Sequence, residues 1–201
     1  MDRHLIIVII VAVLTGLIGG IITAQLMKTE PRKEELIKTF YLTENAVHVS
    51  PHSLRKLMDN GDNSFVLVDL RSHEEYEQSH IRGAINIPAY KNKDESDYGA
   101  KDRIVSEFRA LPKDKDIIVY CYSTACMTGR KIGEMVAREG IFVKHLGIGW
   151  NEWRYEWNDW NHEHEWNLTN VENYIWSGNE SGPLKKVNDS GGCPAFGSLG
   201  C

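Results

Sequence analysis

Two uninterrupted apolar runs, FVLVDL at 65–70 and DIIVYC at 116–121, constrain this chain more than any other feature. Neither alternates with polar residues, so each has the pattern of a strand covered on both faces. Such strands belong to parallel sheets flanked by helices. The neighbouring segments supply those helices. Ser50-Pro51 offers an N-cap and a first-turn proline ahead of Leu54, Leu57 and Met58 on one helical face. SHEEYEQSH (72–80) reads as a short polar helix, and AKDRIVSEFRAL (100–111) spaces Ile104, Val105, Phe108 and Leu111 for another. A third runs from Met127 to Glu139 and ends on Gly140. AVHV (46–49), GAINIP (83–88) and IFVKHLG (141–147) read as shorter strands, and KNKDESDYG (91–99) as a charged loop. Strands alternating with helices imply right-handed crossovers and an α/β fold. In such sheets, sites gather at the carboxyl ends of the strands.

Asp69 stands near one such end and Cys121 at another. After Cys121 a short loop (Tyr122, Ser123, Thr124, Ala125, Cys126, Met127) runs into a helix beginning with Thr128 and carrying Arg130. A loop entering a helix N-terminus turns backbone N–H groups inward, and the helix dipole adds positive charge. A thiol there ionises readily and reacts as thiolate, and the same cup suits an anion such as thiosulfate or phosphate. Ser123, Thr124 and Ala125 are small enough for close backbone approach. The Ser123 and Thr124 hydroxyls can bond the nucleophile, and Arg130 can face an incoming anion. The alternative is that Cys121 and Cys126 only pack as small buried side chains. A zinc pair would prefer closer spacing and a second pair nearby. Cys193 and Cys201 lie far along the chain, so no metal is expected.

Net charge is −5 and the cations are scattered or paired with acids, as in EPRKEE and KDKD. No basic stripe is present to release counterions from a nucleic acid, so none is expected as partner. The N-terminus is different. LIIVIIVAVLTGLIGGIITA (5–24) carries no charge and is long enough to cross a bilayer as a helix. A cleaved signal peptide ending at Ala24 is the rival reading, opposed by the length of the apolar run and by Ile22. Flanking cations slightly favour a cytoplasmic C-terminal side, whereas the short leading tail favours export. The expectation is a single-pass anchor with the soluble domain on the extracytoplasmic side.

With these features in place, FVLVDLRSHEEYEQSHIRGAINIP (65–88) resembles the first signature of rhodanese-like domains. IIVYCYSTACMTGRKIGEMVAREG (117–140) resembles the second, and VKHLGIGWNEW (143–153) the closing glycine and tryptophan segment. The resemblance implies a rhodanese-like parallel sheet flanked by helices, and a sulfurtransferase needing no metal or organic cofactor. Cys121 would take sulfur from thiosulfate or a persulfide donor, hold it as a persulfide, and pass it to a thiol or cyanide. Asp69 and Arg71 would be structural, Arg71 pairing with an acid such as Glu75. His80 would sit near the mouth, Gly83 would permit a tight turn, and Gly147 and Gly149 would let the last strand turn close to the site.

The loop departs from the thiosulfate-favouring pattern, which carries a cation after the cysteine and another near its end. Here Tyr122 and uncharged residues hold those places, as in a variant group of the family with Cys-Tyr-x-x-x-Cys. Ile148 replaces a usual glycine. Cys126 then either resolves a Cys121 persulfide or sulfenic acid through an intraloop disulfide or is a second packed side chain. A related phosphatase group would need arginine at 127 to clamp phosphate, where this chain has Met127. A dithiol redox or binding module using Cys121 and Cys126 is the remaining rival.

The expected organisation is an anchor (or signal peptide) at 1–27, a linker with a short helix near 34–40 at 28–45, the α/β domain at 46–160, and an irregular extension at 161–201. In or beside the extension, Cys193 and Cys201 suit a disulfide if the domain is exported, with a sulfur-accepting role for the tail as a further possibility. The HEHE run at 162–165 reads as solvated, and the tryptophans of 150–166 as cover for the sheet or domain edge. Asn167, Asn179 and Asn188 head glycosylation sequons that matter only in a secretory pathway.

Overall fold

The structure, a computed structural model, describes residues 2–26, 31–161 and 169–184. His162 to Glu165, Asn167, Asn188, Cys193 and Cys201 lie outside the described residues. The chain forms two compact units that part between Thr43 and Glu44.

In the first unit, helix α1 (Arg3–Leu26) contains a stretch, Arg3–Thr23, long and apolar enough to cross a membrane. Helix α2 (Lys33–Val47), whose last turn belongs to the second unit, replaces most of the expected linker. No glycine or proline interrupts 33–47, and Glu34 and Glu35 place negative charge on its first turn, so nothing stops the helix at Phe40. Because α2 runs to Val47, the expected AVHV strand shortens to β1 (His48–Val49).

The second unit follows the alternation foreseen from the apolar runs. Ser50 caps α3 (Pro51–Asp59) by accepting from the Ser53 N–H at 3.1 Å. Then come β2 (Phe65–Asp69), α4 (His73–Gln78), β3 (His80–Ile81) and β4 (Ala84–Asn86). The charged segment is no open loop but a hairpin of β5 (Tyr90–Asn92) and β6 (Glu95–Ser96). Next are α5 (Lys101–Arg109), β7 (Asp116–Tyr120), α6 (Thr128–Ala137) and β8 (Lys144–Leu146). Helices α7 (Trp150–Tyr155) and α8 (Trp157–Trp160), a 3-10 turn at Val171–Tyr174 and β9 (Ile175–Trp176) complete it.

The main sheet is parallel throughout, in the order β1-β8-β7-β2-β4, with Leu67 opposite Ile118 and Asp69 opposite Tyr120. Side chains alternate between its faces. Phe65, Leu67, Ile118 and Tyr120 join Leu54, Met58, Trp150, Trp153 and Trp157 in one core. Val68, Val119 and Cys121 join Ile104, Phe108, Ile132 and Val136 in the other. Trp150, Trp153 and Trp157 therefore do cover a sheet face, Trp153 is completely buried, and Trp166 lies outside the described residues.

The extension differs from its expected irregularity. β9 pairs antiparallel with β3, matching His80 to Trp176 and Ile81 to Ile175, and Tyr174 is buried in the first core. The apolar pair is too short to announce a strand among asparagines and glycines, and only β3 makes it one.

Candidate active site

The floor of the site is a buried ion pair. Asp69, the last residue of β2, accepts from the Arg71 backbone N–H at 2.8 Å and from Nη2 at 2.6 Å. The Tyr120 hydroxyl donates to the same carboxylate at 2.6 Å, tying β2 to β7 one residue before the first thiol. Arg71 also donates to the Ser79 carbonyl at 2.8 Å and lies 4.4 Å over the Trp150 ring. Burial would lower the Arg71 pKa, but the adjacent Asp69 charge carries it above its ordinary value, so the guanidinium stays charged.

Two expectations need correcting here. Arg71 pairs with Asp69 rather than Glu75, because the two-residue spacing folds the guanidinium back over its own strand end. Glu75 instead accepts from the Ser72 hydroxyl at 2.5 Å and from the Tyr122 phenol. His80 is not at the mouth. It is fully buried, stacked on Tyr76 with ring centroids 3.8 Å apart, and its Nδ1 lies 2.7 Å from the Tyr76 carbonyl. Burial holds its pKa below the usual value, so it is a neutral packing residue.

Cys121 follows β7 directly and is 3 % exposed, while Cys126 is half-buried. Their Sγ atoms are 3.0 Å apart, and both thiols are free. The loop between them is held from outside by the N-terminus of α7. The Trp150 N–H donates to the Cys121 carbonyl and the Asn151 N–H to the Tyr122 carbonyl, each at 2.8 Å. Gly149 makes this approach possible, since a Cβ there would strike the backbone of Tyr122 and Ser123.

The two thiols titrate as one unit. Cys126 is the acidic member: its thiolate accepts from the Cys121 thiol, the Thr128 hydroxyl, and the Thr128 and Tyr122 N–H groups. Cys121 holds its proton, chiefly through that bond to Cys126 and then through burial. Tyr90 and Tyr98 place their hydroxyls 2.8 and 2.7 Å from the Thr128 Oγ1. The two phenols thereby hold Thr128 in place beside the thiols.

Of the residues expected in the cup, Thr128 lines it and Tyr122 walls it, its ring edge-on to Tyr90 at 5.1 Å. Ser123, Thr124 and Ala125 form the outer turn, closed by the Cys126 N–H donating to the Ser123 carbonyl at 3.0 Å. Met127 and Arg130 are exposed, with Arg130 Nη1 3.9 Å from the Met127 sulfur. The sequence reading does not place Tyr90, Tyr98, Glu152 or His145 in this region. The one available signal was the tyrosine at each end of the charged segment, which the hairpin brings together. Beside Cys126, the His145 pKa is lowered to about 4, first by burial and then by the charges of Arg130 and His48. Among the described residues, no group of three or more His, Cys, Asp or Glu is arranged to hold a metal.

The profile of the rhodanese-like domain family matches residues 50–156. An HTH-type transcriptional regulator of Mycobacterium tuberculosis is 38 % identical over 88 residues, spanning 44 % of this chain and 34 % of that protein. A tRNA uridine(34) hydroxylase of Photorhabdus laumondii is 30 % identical over 84 residues, spanning 42 % of this chain and 22 % of the relative. The chain therefore spans about a third or less of the length of these curated relatives. A solved Bacillus halodurans protein is 27 % identical, with 62 % of this chain and 82 % of that one covered at a TM-score of 0.49.

Proposed function

The chain belongs to the rhodanese-like domain family, and on that premise we propose that it is a sulfurtransferase carrying sulfane sulfur on Cys121. The observation that carries this reading is the placement of two free thiols, 3.0 Å apart, in a loop between the end of β7 and the start of α6. The donor is a persulfide, a polysulfide or thiosulfate, and the acceptor a thiol or cyanide. No metal or organic cofactor enters the reaction.

The geometry supports a definite order of proton and sulfur transfer. The Cys126 thiolate takes the Cys121 proton across their hydrogen bond as the Cys121 sulfur attacks the outer sulfur of the donor. For an organic hydropersulfide, RSSH and the pair give RS⁻, Cys121–S–SH and the Cys126 thiol. The Tyr122 N–H and the Thr128 hydroxyl, which favour the ionised form of either thiol, then serve the newly bound sulfur. Attack by an acceptor thiolate on the outer sulfur returns Cys121 as thiolate. Asp69, Arg71 and Tyr120 support the strand end, while His80 packs beneath it.

The same 3.0 Å contact favours a second reading, in which Cys121 and Cys126 cycle between dithiol and disulfide without turnover of sulfur. A thiocyanate assay separates the two. The full-length chain in detergent, given a sulfane donor and cyanide, forms thiocyanate, and Cys121→Ser does not. Absence of thiocyanate with every donor class favours the redox module. For cellular placement, α1 is read as a retained single-pass anchor with the second unit on the extracytoplasmic side.

A further inference from the structure

The outer face of the thiol loop already holds an anion, and that anion belongs to the protein. Glu152 Oε1 accepts from both the backbone N–H and the hydroxyl of Thr124, each at 3.0 Å. Its other oxygen accepts from the Gly149 N–H at 2.9 Å. These bonds hold the Glu152 pKa below its usual value against the opposing effect of partial burial, so the group is a carboxylate at neutral pH. The Cys126 N–H is spent as well, on the Ser123 carbonyl. On the far side of the loop, Glu75 accepts from the Tyr122 phenol. The neighbouring cation, Arg130, is exposed and points to the Met127 sulfur.

An oxyanionic donor would have to compete with the carboxylate that this loop already holds. Thiosulfate is a dianion whose sulfonate oxygens require N–H donors or cations, and here a fixed carboxylate holds a donor they would use and adds like charge beside it. An organic hydropersulfide makes no such demand, because its leaving group is a single sulfur on carbon. We propose that Glu152 is the specificity-determining residue of this site, occupying the oxyanion end of the loop and restricting sulfur donors to organic hydropersulfides. This inference rests on the sulfurtransferase reading above. With thiosulfate, Cys121–S⁻ and S₂O₃²⁻ give Cys121–S–S⁻ and SO₃²⁻. With a hydropersulfide, Cys121–S⁻ and RSSH give Cys121–S–SH and RS⁻.

The test uses the full-length chain in detergent and the rate of sulfur loading on Cys121, with thiosulfate and cysteamine hydropersulfide as the two donors. In Glu152→Gln, the ratio of thiosulfate to hydropersulfide kcat/KM rises at least about tenfold, as expected for relief of one unfavourable charge at a donor group. The rise comes chiefly from a lower KM for thiosulfate, and inhibition by sulfite strengthens in parallel. Thr124→Val, which removes only the hydroxyl bond, raises the ratio by about threefold and guards against misfolding of the first variant. A merely structural Glu152 would slow both donors alike, and a ratio constant within about twofold in both variants overturns the proposal. Failure of both donors to load the wild-type protein overturns the sulfurtransferase reading itself.

Discussion

The backbone N–H of Trp150 donates to the carbonyl of Cys121 at 2.8 Å, so the first residue of α7 holds the first residue of the thiol loop. Asn151 makes the equivalent bond to Tyr122. The loop is therefore positioned by a helix that follows β8, and the Trp150 ring of that helix packs under Arg71. Strand ends, ion pair and thiol loop form one connected unit. Each of its joints predicts a measurable consequence.

Gly149→Ala breaks the closest joint. Its Cβ would meet the backbone of Tyr122 and Ser123, which no rotamer change relieves. Forcing α7 outward costs about 1–3 kcal/mol and loosens both carbonyl bonds to the loop. Urea unfolding gives the stability loss, and thiol alkylation at neutral pH reports faster access to Cys121. Wild-type behaviour in both would show that the approach is not tight.

Asp69→Asn leaves the buried Arg71 charge without its counter-ion while preserving shape. Arg71 and Asp69 are 3 % and 0 % exposed, so solvent cannot compensate. The expected loss is about 3–5 kcal/mol, the usual effect of breaking a buried pair from one side. A change below about 1 kcal/mol by chemical denaturation would mean that the pair contributes little.

Much of this arrangement is legible in the chain. The runs 65–70 and 116–121 are apolar on both faces, which only a covered parallel strand explains, and Cys121 ends the second. Gly140 is expected to end its helix, the resemblance gives Gly83 a tight turn, and both have φ in the left-handed region, +76° and +83°. Other contacts were not legible because they join distant segments. Tyr90, Tyr98 and Thr128 meet only after the β5–β6 hairpin closes. Glu152 reaches Thr124 only because α7 abuts the loop. The family resemblance pairs Arg71 with an acid such as Glu75, whereas burial beside Asp69 decides the pairing. His80 was placed by its motif, and the strand it occupies turns it inward on Tyr76.

Replacing Cys126 tests the shared titration. In the wild-type protein one thiol ionises in the acid range, because the other thiol and the Thr128 donors hold its charge. In Cys126→Ser, the remaining Cys121 loses that neighbouring base. The midpoint of alkylation against pH moves up by more than about one unit, towards the ordinary thiol range. An unchanged profile would mean that Cys121 is acidic without help.

His145 predicts a pH dependence of folding. Its folded pKa is about 4 against an ordinary 6.5, so between those values the unfolded chain binds a proton that the native state refuses. Stability is then full above pH 6.5 and falls as pH drops towards 4. His80 is depressed as well and acts in the same direction. His145→Gln therefore flattens the fall between pH 6.5 and pH 4 without abolishing it, as read from urea midpoints. A slope equal to wild type would remove His145 from the account.

The most direct measurement of the central claim is the intact mass of the reduced full-length chain after incubation with cysteamine hydropersulfide, alongside Cys121→Ser and Cys126→Ser. The account predicts a gain of one sulfur atom in wild type, a slower gain in Cys126→Ser and none in Cys121→Ser. A gain that survives in Cys121→Ser and vanishes in Cys126→Ser would contradict it, as would a loss of two hydrogens with no sulfur bound at all.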